Sequence, residues 1–367
     1  MRIALFVHSL LSDWNHGNAH FLRGLTTELV AAGHEVRVFE PADAWSAANL
    51  VRDAGQAALE RTRSVYPALD ITRYDVERLD LEVALDGVDL VVVHEWNDHG
   101  LVARIGRHRA AHGGYALLFH DTHHRSVSDP SAMGAYDLSA YDGVLAFGRV
   151  VRNLYIRHRW ARRAWVFHEA ADTRLFRPMP EVPKSGDLVW IGNWGDEERT
   201  RELHEFVVEP VRALGLRATV HGVRYPDAAQ RTLAAAGIQV AGWLANYEAP
   251  SVLARHRVTV HVPRRQYVTQ LPGIPTIRPF EAMAAGIPLV SAPWDDVEQL
   301  FSPGEDFAVA RDGAEMRRCL RALIADHALA QAQAARARRT ILARHTCAHR
   351  AAELVAIARE LGAGDRA

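Results

Sequence analysis

The chain carries a guanidinium and a carboxylate three residues apart, Arg278 and Glu281, beside a proline that favours the start of a helix. A helix that starts near Pro279 places Glu281 in its first turn, beside backbone N–H groups that have no partner within the helix. Glu281 could accept hydrogen bonds from ribose hydroxyls, while Arg278 and the N–H groups contact phosphate oxygens. This spacing therefore favours binding of a sugar phosphate.

The residues that follow this pair predict the element that positions it. Residues 281–285 are good helix formers, Gly286 and Pro288 end the helix, and residues 289–291 have the composition of a buried strand. The same helix–turn–strand pattern also occurs in α/β domains that bind nothing at this point. A purely structural explanation of the stretch therefore stays open beside the binding hypothesis.

A second cluster of titratable side chains lies in residues 120–125, directly after a predicted buried strand. Asp121, His123 or His124 could orient or deprotonate an acceptor hydroxyl, because histidine titrates near neutral pH. A metal site is a competing hypothesis, although the spacing fits no standard zinc pattern. A helix-capping aspartate accompanied by structural histidines is the plain alternative.

Composition narrows the possible functions. The chain has 367 residues, is 49% hydrophobic and has a formal net charge of −1, which suits two soluble α/β domains and does not favour nucleic acid or an acidic membrane. Lys184 is the only lysine, so phosphate must be held by arginines, backbone N–H groups or helix ends. The two cysteines lack metal-site spacing, and the first residues read as a strand, so we expect a cytoplasmic protein without stable membrane insertion.

The first half of the chain alternates buried strands and helices, which predicts a doubly wound parallel sheet. Polar residues follow these strands repeatedly, at the edge where open α/β sheets bind ligands. A helix is expected at residues 19–32. The predicted strands are residues 2–7, 34–39, 88–93, 115–119, 143–147 and 164–167.

Residues 172–186 are rich in proline and separate the first series from a second one. We expect an amino-terminal Rossmann-like domain at 1–175, a linker at 176–186, a second Rossmann-like domain at 187–344, and a final helix at 345–367 that packs back on the first domain. A cleft between two such domains would be a natural small-molecule site. The strands predicted in the second domain are residues 188–191, 218–221, 239–242, 258–262, 289–291 and 307–310.

Several segments from both halves resemble CgeB-like glycosyltransferases of the GT-B fold, which are related to the retaining enzymes that use nucleotide sugars. The block at residues 278–286 is fairly specific for this family, and the loop motifs are moderately specific for it. The segments that carry the resemblance are Trp14 to His20, Gly33 to Val36, Ile191 to Trp194 with Glu198 and Arg199, Arg278 to Gly286, Phe301 to Asp306, and Arg344 to Thr346.

The resemblance implies two facing Rossmann-like domains, with the nucleotide-sugar donor mainly on the second domain and the acceptor mainly on the first. It implies that Glu281 binds the donor ribose and that Arg199 faces the diphosphate. Gly17 and Asn18 would close on the donor from the first domain. The implied donor loop consists of Gly192, Asn193 and Trp194.

Two departures from the family pattern concern the donor site. Many retaining GT-B enzymes carry a second glutamate eight positions after the first, where this chain has Leu289. Many also place a lysine on the diphosphate, and the second domain has none. Arg264 or Arg265, in the loop after a predicted strand, could supply that charge instead.

The sequence thus predicts a glycosyltransferase that moves a sugar from a nucleoside-diphosphate donor to an acceptor hydroxyl, with retention of configuration. It predicts no cofactor and no metal, because GT-B enzymes generally stabilise the leaving diphosphate with arginines and helix ends. The acceptor, the base and the sugar are left open. A GT-B sugar-nucleotide epimerase and a non-catalytic protein of the same fold are the alternatives.

Overall fold

The computed structural model describes residues 1–195 and 197–364, which form two compact units. The first unit consists of Met1–Glu169 and Cys347–Ala367, and the second of Ala170–Thr346. The last three residues of the predicted carboxyl-terminal segment, 365–367, lie outside the described residues. No helix in the described part of the chain combines the length and the apolar character needed to span a bilayer.

The first unit is built on a parallel sheet of seven strands in the order β3-β2-β1-β4-β5-β6-β7. Its central strands are buried throughout, as their continuous apolar runs predict. The strands are β1 (Arg2–Phe6), β2 (Glu35–Pro41), β3 (Asp70–Tyr74), β4 (Leu90–His94), β5 (Ala116–Asp121), β6 (Gly143–Ala146) and β7 (Ala164–Val166).

Helices flank this sheet, and the last helix of the chain packs against the first. The helices are α1 (Asn18–Ala31), α2 (Trp45–Ala54), α3 (Ala57–Val65), α4 (Leu81–Ala84), α5 (His99–His112), α6 (Arg125–Ser128), α7 (Pro130–Gly134), α8 (Arg149–Arg157) and α17 (Cys347–Glu360).

The edge strand β3 was missing from the sequence prediction. Its residues are mostly exposed, because β3 pairs with β2 on one side only and its side chains face solvent. Neither the continuous apolar run of a buried strand nor a regular alternation marks it in the sequence. An exposed edge strand of this kind gives little signal before the fold is known.

The second unit has a parallel sheet of six strands in the order β10-β9-β8-β11-β12-β13. The sequence predicted all six within about two residues of their ends, which is the usual uncertainty of element boundaries. The strands are β8 (Gly186–Ile191), β9 (Ala218–His221), β10 (Ile238–Val240), β11 (His256–His261), β12 (Leu289–Ser291) and β13 (Ala308–Val309).

Helices alternate with these strands, and the alanine-rich carboxyl-terminal region forms α15, α16 and α17. Asp326 caps the start of α16, which separates it from α15. The helices are α9 (Thr200–Leu203), a π-helix (His204–Val208), α10 (Glu209–Leu214), α11 (Asp227–Ala235), a 3₁₀ turn (Asn246–Glu248), α12 (Ala249–Ala254), α13 (Arg265–Thr269), α14 (Ile277–Ala285), α15 (Gly313–Ala325) and α16 (His327–Arg344).

The start of α14 differs from the prediction. The helix begins at Ile277, so Glu281 is its fifth residue and belongs to the second turn. The expectation that Glu281 lies beside the unpaired N–H groups of the first turn is therefore wrong. The predicted end is confirmed, because Gly286 adopts the left-handed conformation (φ 71°) directly after the helix.

Candidate functional site

Glu281 is buried at the carboxyl edge of the second sheet, and its polar partners include Asn246 and Arg278. Asn246 Nδ2 donates to its Oε1 at 2.7 Å, and Arg278 Nη1 donates to its Oε2 at 2.5 Å. The side chain lines a small cavity together with Ile191, at the end of β8, and His261, at the end of β11. A carboxylate oxygen can accept more than one hydrogen bond, which suits Glu281 to a ligand hydroxyl.

The amino end of α14 has an unusual backbone. Thr276 precedes the helix with φ 59° and ψ −179°, a region that β-branched residues rarely occupy. Among the described residues, no side chain caps this end of the helix. Strained backbone of this kind concentrates at ligand sites, and an uncapped helix start presents N–H groups to an anion.

Arg199 lies partly buried before α9, and its guanidinium holds the neighbouring loops together. Its Nη1 donates to the carbonyl of Val262 at 2.9 Å, and further bonds reach the carbonyls of Asn193 and Trp194. The guanidinium also lies 5.1 Å from the centre of the Trp190 ring. Arg199 therefore joins the loop after β8 to the loop after β11.

The charge of Arg199 is not neutralised by a hydrogen-bonded carboxylate in the described residues. Burial, followed by the positive charge of Arg264, lowers the pKa of Arg199 to about 9, and Arg278 adds to this effect. The guanidinium stays protonated at pH 7. Three arginines thus place positive charge at one edge of the sheet, which is the arrangement that a diphosphate requires.

Arg264 and Arg265, like Arg278, are paired with glutamates. Arg264 Nη1 donates to Glu198 Oε2 at 2.5 Å, and the pair is mostly buried. Arg265 is half exposed and contacts Glu202 at 3.3 Å. Arg264 is therefore part of the organised edge of the sheet, while Arg265 lies toward solvent.

The predicted donor loop, Gly192 to Trp194, is fixed by neighbouring loops of the same edge. Asn193 Oδ1 accepts from the backbone N–H of Val223 at 2.8 Å. A Cβ at Gly222 would lie 2.2 Å from the carbonyl oxygen of Gly192, so only glycine allows the two loops to approach this closely. Trp194 packs in the core, and its Nε1 donates to Thr200 Oγ1 at 3.0 Å.

In the first unit, Asp121 ends β5 inside a buried network of charged groups. Tyr155 donates its hydroxyl to Asp121 Oδ2 at 2.9 Å, and the pKa values of Asp121 and the adjacent Glu95 are both raised by burial. Arg125 donates to Glu95 Oε2 at 3.0 Å and stacks over the Trp96 ring at 4.2 Å. The two buried carboxyl groups therefore favour sharing a proton.

The two predicted catalytic histidines differ in exposure. His124 is buried, and its Nδ1 lies 2.9 Å from Ser128 Oγ. His123 is only partly buried, and its ring lies 5.2 Å from the Trp96 ring. Of the three residues predicted to act on an acceptor, Asp121 and His124 are enclosed and His123 is the most accessible.

The loop after β1 brings further histidines to the same edge of the first sheet. His8 and His16 are 5.1 Å apart between ring centres, and His94 and His120 are 5.3 Å apart. Burial lowers the pKa of His8 to about 4 and that of His120 to about 3, and it lowers the pKa of His16 and His94 as well. All four rings are therefore neutral at pH 7.

Gly17 and Asn18 were predicted to contact the donor, and both lie at the start of α1. Gly17 precedes the helix in a helical conformation (φ −63°), and Asn18 is its first residue. Asn18 is buried, and its amide nitrogen contacts Nε2 of His94. Among the described residues, the side-chain oxygen of Asn18 has no hydrogen-bond partner.

Sequence reasoning missed several residues that organise these two edges. Asn246, the partner of Glu281, lies in the short 3₁₀ turn before α12 and belongs to no motif. Tyr155 approaches Asp121 only in the folded chain. Gly222 could have been suspected from its place directly after a predicted strand, where glycine often permits a close backbone approach.

Comparisons with known proteins agree with this architecture. Residues 199–356 match the sequence profile of the family described as "Glycosyl transferase-like". A search among curated proteins finds no match.

Solved structures similar to this one include sucrose-phosphate synthase (tll1590) from Thermosynechococcus elongatus, which is 15% identical over 98% of this chain and 99% of its own (TM-score 0.65). An alpha-glucosyltransferase in complex with UDP-glucose and DNA containing an abasic site is 13% identical over 98% and 99% (TM-score 0.73). Anabaena Alr3699/HepE in complex with UDP-glucose is 12% identical over 98% and 100% (TM-score 0.67). The chain therefore has the GT-B fold.

Proposed function

We propose that this chain is a glycosyltransferase that takes a sugar from a nucleoside-diphosphate donor and transfers it to an acceptor hydroxyl. The observation that carries the proposal is a buried carboxylate, Glu281, paired with Arg278, on the same unit as two further arginines, Arg199 and Arg264, that follow the strands β8 and β11. One of these, Arg199, has no carboxylate among its hydrogen-bond partners in the described residues. A nucleotide sugar offers the complementary groups, which are ribose hydroxyls and a diphosphate.

In this proposal Glu281 accepts hydrogen bonds from the donor ribose. The amide of Asn246 and the guanidinium of Arg278 hold its carboxylate in place from two sides. Arg278 is 30% exposed at its side chain, so it can also contact a phosphate oxygen while it keeps its bond to Glu281. The uncapped start of α14 adds backbone N–H groups on the side of the diphosphate.

Stabilisation of the leaving diphosphate is the chemical step that this edge is suited to perform. As the glycosidic bond breaks, negative charge grows on the diphosphate, and preorganised guanidinium groups stabilise it without rearrangement. Lys184 cannot take part, because its Nζ donates to the carbonyl of His256 at the opposite end of β11. The arginines therefore carry this role without the lysine that many related enzymes use.

Transfer with retention, a CgeB-like assignment and a cytoplasmic location belong to the same proposal. The sequence resemblance supports the first two, and the cysteine usage and the first strand are the basis of the third. The complexes of the alpha-glucosyltransferase and of Anabaena HepE with UDP-glucose make a UDP-sugar the first donor to test. Activation of the acceptor hydroxyl is assigned to the carboxyl edge of the first sheet. His123 is the most accessible of the three residues predicted to act there, Asp121, His123 and His124.

Calorimetric titration of the purified full chain with UDP and with UDP-glucose tests the proposal. We expect binding by the wild type and a loss of about tenfold or more in Glu281→Gln, which keeps the shape of the side chain and removes its charge. Glu305→Gln, an exposed glutamate of the same unit, is the matched control and should bind as the wild type does. Equal affinity in all three proteins would contradict the assignment of Glu281.

Product analysis separates the alternatives. Incubation with donor alone should yield only slow hydrolysis to free sugar and nucleotide diphosphate. A new sugar nucleotide formed from the donor alone would instead indicate an epimerase. Tight nucleotide binding with no turnover across an acceptor library would indicate a protein of this fold without catalytic function.

A further inference from the structure

We propose that His108, His112 and Glu82 form a binding site for one Zn²⁺ ion on the first unit. The ligand atoms of the three side chains all lie within 4.8 Å of one another. Two histidine nitrogens and a carboxylate oxygen are ligands that Zn²⁺ commonly uses, with a fourth position left for water. No sequence pattern marks these residues as metal ligands, because Glu82 lies close to the two histidines only in the folded chain.

The distances between the ligand atoms suit a tetrahedral ion. Zn²⁺ bonds of about 2.0–2.1 Å separate neighbouring ligands by roughly 3.3 Å. Nε2 of His112 lies 3.0 Å from Glu82 Oε1, and Nε2 of His108 lies 3.6 Å from Glu82 Oε2. Small rotations of the side chains would therefore bring all three groups onto one ion.

The second nitrogen of each histidine ring already has a hydrogen-bond partner. His108 Nδ1 lies 2.9 Å from the hydroxyl of Tyr115, and His112 Nδ1 lies 3.1 Å from the carbonyl oxygen of His108. The carbonyl partner requires a proton on Nδ1 of His112, and both Nε2 atoms are directed toward Glu82. Metal-binding histidines are usually held in this way. Nε2 of His108 is buried and has no hydrogen-bond partner among the described residues.

The surrounding contacts fix the backbone at Glu82, whose side chain is 65% exposed. His108 and His112 are one turn apart on α5, and Arg104, one turn earlier, donates to the carbonyls of Val76 and Leu79. The segment that leads into α4 is therefore already attached to this face of α5. Asp80 caps α4 and accepts from the backbone N–H of Glu82 at 3.0 Å.

The place of the site in the fold indicates a structural ion. Helix α5 connects two parallel strands, β4 and β5, so its last turn lies at the amino edge of the sheet. The proposed glycosyl-transfer residues of this unit lie at the carboxyl edge. Zn²⁺ here would link α4 to α5 and so stabilise the segment between β3 and β4. It would not contact the proposed glycosyl-transfer residues.

Titration of the full chain with ZnCl₂ in competition with a chromophoric chelator tests the inference. We expect one high-affinity equivalent, weakened about tenfold or more in Glu82→Gln and His112→Gln. His327→Gln, an exposed histidine at the start of α16, is the matched control and should bind as the wild type does. Tyr115→Phe removes only the partner of His108 and should weaken binding by a smaller factor.

Co²⁺ substitution gives a second reading that does not depend on affinity. Bound Co²⁺ should produce the intense visible absorption of a tetrahedral site in the wild type and in His327→Gln, and not in Glu82→Gln. No Zn²⁺ binding by the wild type would overturn the inference. Equal binding by the wild type, Glu82→Gln and His112→Gln would overturn it as well, because the ion would then lie elsewhere.

Discussion

The two units build their carboxyl edges from equivalent strands, β1, β4 and β5 in the first and β8, β11 and β12 in the second, but the side chains there differ in kind. In the second unit, Arg278 pairs with one buried carboxylate, Glu281, and Arg199 keeps its positive charge. In the first unit, histidines that burial keeps neutral lie beside two carboxyl groups that favour a shared proton. The same topology therefore presents fixed charge on one sheet and uncharged hydrogen-bonding groups on the other.

This difference suggests a division of chemical work. A fixed cation suits a diphosphate, whose charge is permanent and grows as the sugar leaves. Neutral imidazoles and protonated carboxyls suit a hydroxyl, which must be oriented and then lose its proton. Substitutions in the second unit should therefore change donor affinity, and substitutions in the first should change turnover.

The largest effect is expected for Arg199→Ala. The change removes the Arg199 hydrogen bonds to the carbonyls of Asn193, Trp194 and Val262, and it removes positive charge from the proposed donor site. We expect donor binding to be undetectable and the free energy of unfolding to fall by about 2 kcal/mol. Calorimetry and urea unfolding measure the two effects. Full stability together with full affinity would show that Arg199 neither holds the loops nor contacts the donor.

His123→Ala is expected to lower kcat by about a hundredfold while the Kd of the donor stays unchanged. The reason is that His123 is the accessible titratable group at the edge assigned to the acceptor. Steady-state kinetics with a functional acceptor, combined with donor calorimetry, give both quantities. Weaker donor binding together with an unchanged kcat would contradict the proposed division of roles between the two edges.

Arg278→Ala should weaken donor binding by about tenfold and lower the folding stability by less than Arg199→Ala does. Its side chain is partly exposed, and the buried carboxylate of its ion-pair partner Glu281 keeps the hydrogen bond from Asn246. A thermal unfolding scan beside the titration separates this variant from Arg199→Ala. A stability loss as large as that of Arg199→Ala would contradict a direct role in binding.

Much of the strand order and of the loops at the carboxyl edges could be predicted from the sequence. The predictions that are wrong or missing have local physical causes. The order of strands and the carboxyl-edge loops follow from continuous apolar runs, which any buried parallel strand must have. The predicted first turn of α14 is wrong because a proline favours a helix start near position 279. The helix begins earlier, at Ile277, directly after Thr276, whose φ is positive. The partnership of Glu281 with Asn246, 35 positions away, has no local pattern that could reveal it.

The neutral histidines predict a dependence of stability on pH. The pKa of His8 falls to about 4 in the folded state, against about 6.5 in the unfolded chain. The unfolded state therefore binds a proton that the folded state does not, and stability is lost as the pH falls from about 6.5 to about 4.

Urea unfolding at pH 7.5, 6 and 5 measures this slope, and His8→Gln should make it shallower by up to ~1.4 kcal/mol per pH unit. His327→Gln, in which an exposed histidine is replaced, should keep the slope of the wild type. An unchanged slope in His8→Gln would mean that His8 is not held neutral by burial.

The smallest effect is expected for Arg265→Ala. Arg265 is half exposed and contacts Glu202, so the solvent weakens its interaction with any phosphate nearby. We expect donor affinity to change by less than about threefold. A tenfold loss would place Arg265, and not only Arg264, among the groups that contact the donor.

A structure of the full chain with bound UDP tests the central claim most directly. The account predicts a ribose hydroxyl within hydrogen-bond distance of a Glu281 oxygen, and phosphate oxygens against Arg278 and the start of α14. UDP bound with its ribose away from Glu281, or held by neither Arg199 nor Arg264 nor Arg278, would contradict it.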